Sequence, residues 1–243
     1  MGAPAVAVFA VVAACAPQHR PVQDGETRIE SKRTAADAGH SSVLGVPRAR
    51  VPIVPTGRFD VGIWAGAAQT RTLLDTKGRG AVPVSEARFL WGDGQLYVFF
   101  YAADLDLEAR ASKHDDAVWK DDSVALTFFS PGTGRLIVQI SPRGVVADGI
   151  CPLEATDLGD PRCDLTWESG ARVGVDADGT FNQLGDFDEE WAVEAALPLA
   201  SLHVDGAGPG TRIRFAVSRC EIAHDGPRAC GTWGGSDAVL VLE

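Results

Sequence analysis

The chain has one methionine, at its first position, and no run of lysine or arginine with interleaved aromatics. Its 22 basic residues are outnumbered by 33 acidic ones, and the formal net charge of −11 would repel a phosphate backbone, so nucleic acid is not an expected partner. No GxSxG, HExxH or P-loop pattern occurs, which leaves nucleophilic and metal-hydrolytic catalysis without its parts. Carboxylates are plentiful, as in "GDFDEEW" (Gly185 to Trp191), but a glycosidase needs two of them on rigid elements at a set separation across a cleft. Abundance does not supply that geometry, and no catalytic residue is assigned. CxxC and EF-hand spacings are missing too, as are internal repeats. Long amphipathic helical patterns are absent; only Leu199 to His203 reads as a helical turn. With 243 residues, 45% of them hydrophobic, one substantial core is expected rather than two large domains.

The first fifteen residues, "MGAPAVAVFAVVAAC", carry no charged side chain and are too few to cross a bilayer as a helix. They read as a signal segment, 1–15. Val12-Ala13-Ala14-Cys15 resembles the bacterial lipobox, which implies an exported protein held by a diacylglycerol on the Cys15 thiol, at the outer membrane or cell surface. Residues 16–56 lack periodic apolar positions and read as a flexible tether. The remaining cysteines are Cys151, Cys163, Cys220 and Cys230. An even number in an exported chain favours disulfides over zinc, and four allow three connectivities. Cys151–Cys163 and Cys220–Cys230 are the preferred pairs, because each brackets a short Gly-, Pro- or Asp-bearing loop whose ends a hairpin would bring together.

From Phe59 onward the hydrophobic period is two. In "QLYVFFYAA" (Gln95 to Ala103) Leu96, Val98 and Phe100 fall on one face and Tyr97, Phe99 and Tyr101 on the other, as in a strand buried on both sides. "SVALTFF" and "RLIVQIS" flank Pro131-Gly132-Thr133-Gly134, a hairpin signal. "ARVGVDADGTF" carries a turn signal at Asp178-Gly179, and "WAVEAALPL", "TRIRFAVSR" and "AVLVLE" complete a set of short strands. The fold class is all-β, an antiparallel two-sheet β-sandwich over 57–243.

"RFLWGDGQLYVFFYAADLDLEA", "KHDDAVWKDDSVALTFFSP", "ISPRGVVAD", "WAVEAALPLASL" and "SRCEIA…W" occur in that order. They resemble the family 9 carbohydrate-binding modules, within the wider DOMON-like group of sugar- and haem-binding sandwiches. Trp64, Arg219 and Trp233 fit the same pattern, whereas Ala125 stands where the family usually has glutamate. The resemblance implies a non-catalytic carbohydrate-binding domain with a glycan as its ligand.

Sugar binding needs aromatic faces and nearby polar groups. Trp64, Trp91 and Trp191 lie in strand-like patterns and are expected in the core. Trp119 and Trp233 are the stacking candidates, with Arg219 and Gln139 as hydroxyl partners. Asp104, Asp106 and Asp122, with Glu108, Asp115, Asp116 and Asp121 near them, could hold a structural Ca²⁺ or form solvated loops. No cofactor is required. Haem is the alternative, because DOMON-like relatives include haem carriers; with Met1 lost in the signal segment, ligation would fall to His114, His203 or His224, since His19 and His40 lie in the tether. A cell-envelope protein-interaction domain is the third reading.

Overall fold

A Gly92-Asp93-Gly94-Gln95 sequence between two apolar runs is a two-residue hairpin signal, and Asp93 and Gly94 both take positive φ, 52° and 73°, as a type I′ turn requires. That turn joins β3 (Ser85–Gly92) to β4 (Gln95–Ala103). The structure, a computed structural model, describes residues 43–70, 72–80, 84–183, 186–222 and 227–243. The signal segment, with Cys15, and residues 16–42 lie outside the described residues.

Two sheets face each other. The five-stranded one runs β2 (Ala68–Gln69), β3, β4, β9 (Glu190–Pro198), β8 (Arg172–Asp178), every pair antiparallel. The six-stranded one runs β1 (Val43–Val46), β11 (Arg228–Leu242), β10 (Arg212–Ile222), β5 (Ser123–Ser130), β6 (Gly134–Ile140), β7 (Val146–Cys151). Only its β1–β11 edge is parallel. The β5–β6 hairpin turns through Pro131 to Gly134 as expected, with Gly132 and Gly134 at positive φ. At Asp178-Gly179 the chain does leave β8, but β9 begins only at Glu190, so no tight turn joins the two strands. Residues 199–203 form hydrogen-bonded turns and no helix; the α-helix among the described residues is one turn, α1 (Val61–Trp64), capped by the Asp60 carboxylate accepting from the Gly62 N–H at 2.7 Å.

Between the sheets lie Phe89, Trp91, Val98, Phe100, Phe128, Trp191, Phe215 and Leu240. The other face of β4 is buried as well, under Ile53 and Trp64, which pack on Leu90, Tyr97 and Phe99. The expected tether is therefore too long by at least its last fourteen positions: β1 is a strand of the six-stranded sheet, and residues 47–56 help cover the five-stranded one. Pro47 to Ala49 pair with Trp91 of β3 through a single parallel bridge, and the residues after them cover the sheet without strand pairing. Glu194, buried on β9, holds it there by accepting hydrogen bonds from Thr56 N–H (2.6 Å), Thr56 Oγ1 (2.9 Å), Gly57 N–H (3.2 Å) and Trp64 Nε1–H (2.8 Å). The backbones approach so closely that a Cβ on Gly174 would sit 2.5 Å from Thr56 N.

Both preferred disulfides form. Cys220 and Cys230 are register partners across β10 and β11, and Cys151–Cys163 ties the end of β7 to the loop after it. No helix among the described residues is long and apolar enough to cross a membrane.

Candidate functional site

Alternation along four adjacent strands sends Glu86 and Arg88 (β3), Phe99 and Tyr101 (β4), Glu190 and Ala192 (β9) and Asp176 and Asp178 (β8) to the outer face of the five-stranded sheet. The segment Gly57 to Phe59 rises beside them as a wall, and together they enclose an open cleft of about 760 Å³. Its floor is aromatic and its rim is charged. Phe59 is 46% exposed, meets Phe99 edge-on at 5.0 Å between ring centroids, and lies under the Arg88 guanidinium at 4.9 Å. Arg88 is in turn held by Glu86, with Nε and Nη2 at 3.0 and 2.8 Å from Oε1. Tyr101 donates its hydroxyl to Glu190 at 2.5 Å; that bond, with partial burial and the Glu190 charge, pushes the phenol up to about 12. Arg58 faces Asp176 at 3.3 Å.

Such a surface offers ring faces for the C–H side of a sugar, and carboxylate and guanidinium groups for its hydroxyls. Four lining carboxylates against two guanidiniums make it unwelcoming to anionic ligands.

The residues expected to bind sugar are not gathered there. Arg219 is 4% exposed and crosses between the sheets, its guanidinium donating to Asp104 Oδ2 (2.8 Å), the Ala103 carbonyl (2.5 Å) and Ser85 Oγ (3.2 Å), with Glu221 2.5 Å away. Gln139 is 1% exposed and donates to Ser123 Oγ at 3.0 Å. Neither reaches solvent, because both fall on core-facing or covered strand positions. Trp119 is half-buried, lying against Gly159 as the lid of a small cluster of Val118, Ile137, Ala147 and Leu158 outside the six-stranded sheet. Trp233 is half-buried against the main core, 5.4 Å from the Phe215 ring. The two tryptophans thus cap different clusters. Trp64, Trp91 and Trp191 are buried, as their patterns indicate.

Two of the three expected calcium ligands, Asp104 and Asp122, are engaged by donors of the protein itself. Asp104, fully buried, accepts from Arg219, from Trp191 Nε1–H (3.1 Å) and from the Asp106 N–H (3.1 Å). Asp122 accepts from the N–H groups of Glu108 and Ile222, both at 2.7 Å. Burial raises the Asp104 carboxyl above its usual range, with Arg219 opposing. Burial and the Asp104 charge push Asp122 up to about 8. Asp104, Asp106 and Glu108 follow the end of β4 at Ala103 and lie outside any strand. Asp121 accepts from the Arg110 and Ala111 N–H groups, and Asp116 from those of Ser112 and Lys113, so the aspartates of "KHDDAVWKDDSV" chiefly fix the loop before β5.

The two described haem candidates, His114 and His203, do not converge. His114 sits near Val146, level with the first residues of β5 across the intervening β6, and His203 hydrogen-bonds Ser130 at the end of β5. About six residues of extended strand, roughly 20 Å, separate them, far beyond the span of one iron. His224 lies outside the described residues.

The cleft escaped sequence reasoning although its signal was present: three outward aromatics on one central strand mark a face that needs a cover or a ligand. "GDFDEEW" contributed Glu190, which acts through position and not number.

The chain matches no family model and no curated protein by sequence. Its fold is shared with solved structures. One is a candidate carbohydrate-binding protein from Bacteroides uniformis ATCC 8492, with a TM-score of 0.60 at 13% identity, covering 83% of this chain and 99% of that one. Another is a carbohydrate-binding module of family 9 from Caldicellulosiruptor kristjanssonii, in complex with cellotriose, with a TM-score of 0.56 at 16% identity, covering 83% of this chain and 94% of that one. The sandwich therefore shares the fold of a family 9 carbohydrate-binding module.

Proposed function

We propose that this family 9-like sandwich is a non-catalytic carbohydrate-binding domain, carried to the cell surface on a lipid anchor at Cys15, and that it takes a neutral oligosaccharide or the chain of a polysaccharide. The observation that carries the reading is the open aromatic cleft on the outer face of β3, β4, β9 and β8, ringed by Glu86, Arg88, Asp176, Glu190 and Arg58. A comparable fold binds cellotriose, which makes β-linked glucans and xylans the first ligands to try. Three of the four cleft carboxylates are paired with a neighbouring guanidinium or hydroxyl, an arrangement suited to orienting hydroxyls and not to protonating a glycosidic oxygen.

The test is titration calorimetry with cellotriose, xylotriose and soluble β-glucan. Tyr101→Ala and Phe59→Ala should each weaken binding about tenfold, the equivalent of about 1.4 kcal/mol for one stacked ring. Trp119→Ala and Trp233→Ala should lower stability and leave affinity within about twofold. No binding across the panel, or binding lost with the tryptophans and kept with Tyr101→Ala, would overturn this placement.

A further inference from the structure

Asp148, on β7, is 1% exposed, and only one of its oxygens is satisfied. Oδ2 accepts from both the N–H and the hydroxyl of Ser169, whereas Oδ1 is enclosed with no hydrogen-bond partner. An enclosed carboxylate oxygen without a donor is costly, and it calls for a ligand on its open side. What it faces is the His114 imidazole, with Nε2 at 3.9 Å, and Nε2 in turn lies 2.9 Å from Glu168 Oε2. The three ligand atoms lie within 4.8 Å of one another. They come from three places in the chain: the loop before β5, strand β7 and the loop after it.

We propose that His114, Asp148 and Glu168 bind a divalent first-row transition metal of the zinc class. A tetrahedral ion with bonds of about 2.0–2.1 Å sets its ligand atoms roughly 3.3 Å apart, between the two separations seen here. One imidazole with two carboxylates is a nitrogen–oxygen set suited to zinc; calcium and magnesium seek six or more oxygens. Charge favours a cation as well. Asp115 stands 3.6 Å from His114 Nε2, so three carboxylates surround one imidazole, and even its protonation leaves an excess of two negative charges. Asp115 itself positions the site: its Oδ1 accepts the Asp148 N–H at 3.2 Å while its own N–H donates to the Val146 carbonyl. Glu168 is 63% exposed, which leaves the outer coordination position open to water. A bound ion would staple the "KHDDAVWKDD" loop to the loop following β7, beside Cys151–Cys163.

The experiment is calorimetric titration of ZnCl₂ into chelator-treated full-length protein carrying Cys15→Ser, which removes the thiol outside the two disulfides. One saturable equivalent is expected, with a higher melting temperature when zinc is present and a visible absorption band when Co²⁺ replaces it. His114→Ala and Glu168→Gln should each weaken binding at least tenfold. Glu168 is exposed enough that its variant keeps the fold, so a loss there cannot be misfolding. Absence of a saturable equivalent, binding unchanged in both variants, or tighter binding of CaCl₂ than of ZnCl₂ would overturn the proposal.

Discussion

Asp122 shows how much one buried side chain can set. Its two oxygens close the ends of two backbone segments, at Glu108 and Ile222, yet burial and the neighbouring Asp104 push its carboxyl up to about 8. Glu221 is pushed up to about 7, by burial first, with Arg219 opposing. Both groups hold their proton more tightly folded than unfolded, so their contribution is fully present below about pH 4 and is lost as pH rises through 7 and 8. His114, raised despite the burial that opposes it because Asp115 and Glu168 attract its proton, acts with the same sign. The exposed carboxylates lowered by arginine or backbone donors, Asp75 and Asp160 among them, titrate below that window. Stability in urea should therefore fall between pH 5 and 8, by up to about 1.4 kcal/mol per pH unit for each of the two buried groups, Asp122 and Glu221. Asp122→Asn should flatten that fall while lowering stability near pH 5, and a profile unchanged by the substitution would dismiss Asp122 as its source.

At the scale of elements, the segment from Val43 to Trp64 decides whether the five-stranded sheet has a finished outer face. It contributes β1, wraps under Glu194 and sets Trp64 on Tyr97 and Phe99 before leaving Phe59 at the edge of the cleft. Trp64→Ala removes both the apolar cover and the Nε1–H that satisfies Glu194 Oε1. A loss of about 3–5 kcal/mol is expected, or roughly 10 °C in melting temperature for a domain of this size, followed by circular dichroism. Because the same segment carries the wall of the cleft, sugar affinity should drop in this variant as well. The disulfides act differently. Each closes a short sequence separation, 12 and 10 residues, within structure that hairpin pairing already brings together.

For the whole molecule, the open cleft lies on the face of one sheet, while the His114 cluster lies at the β7 edge of the other. Ligand binding at one should leave the other's affinity unchanged, since the two lie on different sheets. The proposed surface attachment is a separate property, assigned to the N-terminal segment. Cys15→Ser should move the protein from the membrane fraction to the soluble one in cells that export it; retention in the membrane would refute the lipobox reading.

The all-β class, the central β4 strand, the β5–β6 hairpin, the three core tryptophans and both cysteine pairs were legible in the sequence, because each depends on local periodicity, turn chemistry or short separation. The covering role of residues 43–56 was not, since it rests on Glu194, some 138 positions away from Thr56. Arg219 looked like a sugar contact until the sheets closed around it, and Trp119 became the lid of a small cluster only once Gly159 was packed against it. The chain by itself determined which residues alternate and where they turn. Which alternating face is buried, covered or left open as a cleft depends on long-range packing of two sheets, and only the tertiary structure decided that.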